Sequence, residues 1–255
     1  MRVLPTPSRA LSPSNQPRKK DEMSCNITKL PPRVLSLCTS AGLWDRVLIE
    51  NGFSVAPGCE IEDHKRRLYN RWCGPAPYIS LDIRDLPEKV EGFHFDGVVG
   101  GIPCQAHSKL KSRHKPKFGD LTSAVCDVLN ACEWKWFCFE NVVPLEITGA
   151  HHVKLDAKHF GKPHQSRPRW FTISENLVPF IPPALYGGTT YELKAYPSVV
   201  GRIYSVPMSA WLQGYPHFSE LMKEDFSADQ VKEALADGVP ACLANSWIPA
   251  MREAS

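Results

Sequence analysis

A chain of 255 residues, 43% apolar and 22% charged, is long enough for one α/β domain with a full core. No apolar run approaches the roughly 20 residues of a membrane span, the opening residues lack the apolar stretch of a secretory signal, and nine cysteines without a CxxC pair disfavour a disulfide scaffold or zinc ribbon. The formal charge is +3, of which residues 1–31 carry +4 and the remainder −1, so any nucleic-acid contact must come from local clusters, not a global field. These features predict a cytoplasmic, monomeric protein with reduced thiols and no bound metal.

Residues 1–31 are rich in Pro and Ser and lack periodicity, the composition of a disordered basic tail, with Met23 an alternative start. Residues 32–174 read as the main α/β domain. Arg33 to Cys38 is a short apolar strand feeding the small-residue turn Thr39-Ser40-Ala41-Gly42, and Leu43, Val47 and Leu48 recur at helical spacing up to Asn51-Gly52. Phe53 to Glu60 is a second strand ending in an acid, Glu62 to Trp72 an amphipathic helix, and Tyr78 to Ile83 a third strand closing on Asp82. Asp96 to Gly100 is a fourth strand, Leu121 to Cys132 a helix and Lys135 to Phe139 a fifth strand, with later strands at Val153 to Leu155 and Trp170 to Ile173. Residues 175–204 change to Pro, Gly, Tyr and Thr, a small insertion. Residues 205–255 return to helices at Pro207 to Gln213, Ala228 to Ala236 and Val239 to Ala254. This alternation predicts a Rossmann-like fold, a mostly parallel sheet with helices on both faces and ligands at the carboxyl ends of its strands.

The unusual residues sit at those ends. Gly100-Gly101-Ile102-Pro103-Cys104-Gln105 closes the fourth predicted strand, where a thiol in a Gly/Pro turn faces the ligand crevice as a nucleophile would; taken alone, Cys104 reads equally as a small buried apolar side chain. Glu140-Asn141-Val142 closes the fifth strand, and adjacent ends bring a thiol and a carboxyl group to one rim. Gln165-Ser166-Arg167-Pro168-Arg169 has alternate positions pointing to one side if extended. Lys109, Lys111, Arg113, Lys115 and Lys117, with His114 among them, follow Cys104 directly; they suit a loop closing over phosphates, or else a solvated loop.

Together, Pro-Cys-Gln, Glu-Asn-Val and Gln-x-Arg-x-Arg resemble the DNA cytosine-C5 methyltransferase family in order and approximate spacing, across Arg33 to Ala254. Further matches are Glu60, Asp82-Ile83-Arg84-Asp85-Leu86, Gly119-Asp120-Leu121, Leu212-Gln213-Gly214-Tyr215-Pro216, and Asn245-Ser246 with Pro249. The resemblance implies an S-adenosylmethionine-dependent methyltransferase fold with a very small target-recognition insertion. It implies that the Cys104 thiolate adds to C6 of a flipped cytosine, Glu140 holds the N3/N4 edge, Arg169 the O2 side and Arg167 the surrounding loop. C5 then takes the methyl group, loses its proton, and the thiol is eliminated; no metal is needed. For cofactor binding it implies Cys38, Thr39, Ser40, Gly42, Glu60, Asp82, Ile83, Asn245 and Ser246. For substrate it implies Pro103, Gln105, Ser108, Lys109, Lys111, Arg113, Asn141 and Gln165, with double-stranded DNA as partner.

Two departures stand out. Where the family has Asp-x-Phe-x-Gly-x-Gly-Gly, this chain reads Ser36-Leu37-Cys38-Thr39-Ser40-Ala41-Gly42-Leu43, and the insertion at 175–204 is short for a recognition region. Compact members of this look are found in phage and prophage, which suggests a bacterial or phage-infected cytoplasm and a link to restriction-modification. The alternatives are a tRNA or other RNA cytosine-C5 methyltransferase and a catalytically silent nucleic-acid binder.

Overall fold

Six strands and eight helices are described in the computed structural model, over residues 30–103, 118–161, 166–184, 205–223 and 226–255. Cys104, Gln105, Ser108, Lys109, Lys111, Arg113 and Gln165 lie outside the described residues, as do the tail to residue 29 and positions 185–204 of the insertion. The strands are β1 (Arg33–Leu37), β2 (Ser54–Pro57), β3 (His94–Gly101), β4 (Glu133–Asn141), β5 (His151–Asp156) and β6 (Pro168–Ile173), in sheet order β2-β1-β3-β4-β6-β5. The first four run parallel, while β6 is antiparallel to both β4 and β5. The mostly parallel sheet expected from the sequence is therefore present, with an antiparallel pair at one edge.

The helices are α1 (Leu43–Glu50), α2 (Asp63–Trp72), α3 (Pro87–Val90), α4 (Thr122–Ala131), α5 (Val206–Leu212), α6 (Ala228–Asp237), α7 (Ala241–Ser246) and α8 (Ile248–Ala254). They cover both faces of the sheet because its strands bury alternate residues on opposite sides. In β4, Trp136 and Cys138 join the core shared with α1, α6, α7 and α8, while Phe137 and Phe139 join the core shared with α3 and α4. None of the described helices is long and apolar enough to cross a membrane.

Three expectations are corrected. Tyr78–Ile83 forms no strand; a single parallel bridge, Cys59 to Ser80, stands in its place, and Asp82 instead caps a 3-10 turn, Ile83–Asp85, by accepting from the Arg84 amide. Within that stretch only the Ile79 and Ser80 amides donate to the end of β2 and the residue after it, to the carbonyls of Pro57 and Gly58. The second strand is shorter than predicted and stops at Pro57. The last helical segment is two helices that meet at Trp247, which is completely buried.

Within the sheet, Gly97 of β3 lies beside Trp136 of β4, and a Cβ on Gly97 would fall 2.2 Å from the indole ring. Trp136 is wholly buried, so it has nowhere to move. Gly97→Ala is expected to lower unfolding free energy by about 1–3 kcal/mol, read as a lower urea midpoint with an unchanged slope.

Candidate active site

The carboxyl ends of β1, β2, β3 and β4 open onto one cavity of about 920 Å³, counting its mouth. Two sets of functional groups line it. On one side are Gly101, Ile102, Pro103, Glu140, Asn141 and Arg169; on the other are Cys38, Ser40, Glu60, Ile61, Asp82 and Ile83.

Parallel register places Gly101 of β3 beside Glu140 of β4, and the Ile102 amide donates to the Glu140 carbonyl at 3.2 Å. Glu140 is 6% exposed. Its Oε1 lies 2.5 Å from Arg169 Nε, which reaches across from β6. Oε2 faces Gly101, where an added Cβ would be 3.6 Å away, so the side next to Pro103 stays open. Burial lifts the Glu140 carboxyl above the usual range, and Arg169 and then Arg167 pull it only part of the way back. Asn141 is fixed between the Ile102 carbonyl, to which its amide donates at 3.3 Å, and the Val142 amide, which donates to its Oδ1 at 2.6 Å. A carboxyl group of raised pKa, anchored through one oxygen and open on the other, can share a proton with a ring nitrogen.

On the other side, Glu60 is 8% exposed and accepts from two backbone amides, Ser40 at 2.9 Å through Oε2 and Glu62 at 2.8 Å through Oε1. A carboxylate has about four lone-pair directions, so each oxygen retains capacity for a diol. Positive φ falls on Cys38 and Ser40, both at 49°, and on Gly42 at 74°. A Cβ on Gly42 would sit 2.6 Å from Cys73 Sγ and from the Tyr69 ring, so that glycine is required on two counts. Thr39 lies in the same turn, its amide donating to the Cys59 carbonyl, and neither Thr39 nor Gly42 lines the cavity. Asp82 does line it, but its carboxylate is held by the Arg84 side chain, which also lowers its pKa.

The structure does not bring Asn245 and Ser246 to this cavity. Their side chains turn back onto their own helix, Asn245 donating to the Ala241 carbonyl and Ser246 to that of Leu243, and the Asn51 amide bonds the Asn245 oxygen. Ala236 and Asp237, at the end of α6, form the wall instead. Arg167 explains how. It is 2% exposed and donates through Nη2 to the Ala236 and Gly238 carbonyls at 2.6 and 3.1 Å. Gln213 donates to Leu235 and the Tyr215 hydroxyl to Val239, each at 2.8 Å. Lys65 of α2, also missed, reaches the Asp237 carboxylate at 2.7 Å.

Comparison with known proteins agrees with this geometry. Residues 32–149 match the family model described as C-5 cytosine-specific DNA methylase. That match spans just under half of the chain, from before β1 to beyond β4. Two solved structures share the fold. The S. pombe Dnmt2 methyltransferase is 14% identical, with 87% of this chain and 98% of that one covered at a TM-score of 0.56. The Entamoeba histolytica methyltransferase EhMeth is 12% identical, with 88% and 99% covered at a TM-score of 0.63. A search of curated protein sequences finds no match. The stretch from β1 to β4 that this model matches carries both Glu140 and Glu60, and the antiparallel β6, outside it, adds Arg169.

Behind the turn from Cys38 to Gly42, Asp45 is 1% exposed and accepts from Ser36 Oγ at 2.7 Å. Ser36 stands where the resemblance leads one to expect an acid, so a carboxylate on α1 occupies the space beside it. Burial pushes Asp45 up to about 6, against smaller opposing bonds from Ser36 and Tyr69. Its folded pKa exceeds its unfolded value, so ionising it opposes folding, and the penalty develops as pH rises from about 4 to about 6. Asp45→Asn is therefore expected to gain stability over wild type by up to about 1.4 kcal/mol per pH unit across that window, then stay level. Chemical unfolding of both proteins at several pH values measures the difference directly.

Proposed function

We propose that this chain transfers the methyl group of S-adenosylmethionine to C5 of cytosine in double-stranded DNA, through a covalent bond between Cys104 and C6. The observation that carries the reading is the buried Glu140–Arg169 pair at the strand ends, open toward Pro103. Cys104 follows Pro103 directly in the chain. Glu140, with its raised pKa, keeps a proton at the pyrimidine N3 edge while Arg169 holds its other oxygen in place. Protonation there draws electrons from C6, so that a thiolate can add. The enamine so formed makes C5 nucleophilic; after methylation a base removes the C5 proton and the thiolate leaves. The base must first leave the duplex stack, at an expense of a few kcal/mol that pocket contacts offset.

The residues present fit the cofactor. Glu60 has acceptor capacity for the ribose diol, Ile61, Leu81 and Ile83 offer apolar walls for a purine ring, and the turn from Cys38 to Gly42 lies where the methionine part would approach. S-adenosylmethionine supplies an electrophilic methyl group on a sulfonium. Asp82 would meet the adenine amine while sharing its carboxylate with Arg84. The alternative substrate is RNA, favoured by the short stretch at 175–204, which leaves little chain for reading base edges in a duplex.

Labelled methyl groups from the cofactor are expected on duplex DNA and not on tRNA. Cys104→Ser should abolish transfer, and Glu140→Gln should reduce it by about 10²- to 10⁴-fold. Label on tRNA alone would move the substrate to RNA. Label on neither, with no binding of S-adenosylhomocysteine by calorimetry, would mark a silent relative.

A further inference from the structure

Lys65 is the one buried lysine among the described residues, at 7% exposure. An ammonium group taken out of water is tolerated only when paired. Its Nζ lies 2.5 Å from Glu62 Oε2, 2.7 Å from Asp237 Oδ2 and 3.6 Å from Glu233 Oε1. Glu62 belongs to the start of α2, and Glu233 and Asp237 to α6, so one side chain joins two elements far apart in sequence. Lys65, Glu60 and Asp237 all line the same cavity. Of the other cations there, Arg84 is committed to Asp82, Arg169 to Glu140 and Arg167 to the carbonyls ending α6.

We infer that Lys65 is a positioning residue of the cofactor pocket: its buried ammonium ties α6 to α2 through Asp237 and supplies the counter-charge under which Glu60 works as a carboxylate. This rests on reading the cavity as the S-adenosylmethionine site. The groups facing Glu60 and Lys65 are Glu62 and His64 of α2, Glu233 and Asp237 of α6, Cys38, Cys59 and Tyr78 near the strand ends, and Asp82 beyond them. The cations near Glu60 are Lys65, Arg66, which donates through Nη1 to the Glu60 and Ile61 carbonyls and pairs through Nη2 with Asp63, and a protonated His64, which pairs with Glu233 at 3.4 Å. Of these, only Lys65 opposes the lift in the Glu60 pKa. Burial lifts the Glu60 pKa, and Lys65 is the largest influence opposing that lift, ahead of the amides of Glu62 and Ser40. The ionised form of Glu60 accepts both amides and has capacity left for a diol. Ligand affinity therefore falls as pH drops through the Glu60 pKa, and removing Lys65 moves that fall to higher pH.

The test is calorimetry of the full chain with S-adenosylhomocysteine, which carries the same ribose and cannot transfer a methyl group. Wild type, Lys65→Met and Lys65→Arg are compared between about pH 6 and about pH 8. Lys65→Met is expected to lose about tenfold or more in affinity as pH falls, and to begin that loss at a higher pH than wild type. Lys65→Arg keeps the charge and is expected to follow wild type. Parallel profiles for Lys65→Met and wild type would overturn the inference, as would Lys65→Arg behaving like Lys65→Met. If Lys65→Met does not fold, Asp237→Asn takes its place; it leaves more of the ammonium's field to Glu60, so the fall should move to lower pH, and an upward move overturns the inference. A wild type that binds no ligand at any pH defeats the cofactor reading itself and the inference with it.

Discussion

The site depends on holding the Glu140 carboxyl group out of water. Desolvating a carboxylate without a partner is prohibitive, and here the partner comes from outside the parallel half of the sheet. β6 enters between β4 and β5 in the antiparallel sense, pairing Glu140 with Phe171 and Asn141 with Trp170. That register brings Arg169 to the rim where β4 ends. Had the chain continued with one more parallel strand, its amino end would have stood beside the base of β4, and no arginine at its start could have met Glu140. The antiparallel edge is thus the reason that an acid of raised pKa can exist there with one oxygen fixed.

The same segment fixes the far wall of the pocket. Two residues before Arg169, Arg167 reaches past it and donates to the last carbonyls of α6. Those carbonyls have no partner within the helix, and a charged donor also complements the negative end of the helix dipole. Gln213 and the Tyr215 hydroxyl take the neighbouring carbonyls. Gly214, at φ 83°, lets the chain pass so close that a Cβ would meet that of Ala241 at 2.8 Å. The two motifs in which these residues occur therefore do different work from Glu140: they set the end of α6, and with it Asp237, against the catalytic sheet.

Much of this was legible in the sequence because each strand before Asn141 is a short apolar run followed by a residue that is out of place in a core. Glu60, Pro103 and Glu140 all announce strand ends, and all three line the cavity. Tyr78–Ile83 misled because it is apolar enough for a strand, while only Ile79 and Ser80 of it bond to the end of β2 and Asp82 turns to cap a 3-10 turn. The direction of β6 was hidden because strand patterning is the same in either direction. Asn245-Ser246 matched a motif by composition, yet Asn and Ser late in a helix satisfy themselves on its own carbonyls. Asp237 gave no such signal, being one acid at the end of an amphipathic helix. Lys65 gave no signal in the sequence; only the approach of α6, more than 160 residues later, buries it.

The altered first turn shows what such a motif requires physically. Two of its three left-handed positions carry side chains, Cys38 and Ser40, each strained by about 1–2 kcal/mol relative to glycine. The surrounding bonds over-determine the turn: the Cys38 amide meets Cys59 Sγ, the Thr39 amide the Cys59 carbonyl, and the Ser40 amide the Glu60 carboxylate. The last of these is charge-assisted and buried, where such a bond contributes most. Glu60 is therefore both the prop of the turn and the acceptor facing the cavity, so the two sides of the cofactor pocket cannot move independently. Gly42 is the position no bond can rescue, because the Tyr69 ring and the Cys73 sulfur already occupy the space a Cβ would need. What the turn retains is the glycine that packing demands; at Ser40, where the resemblance has a glycine that only backbone conformation favours, a side chain stands instead and its amide is held by Glu60.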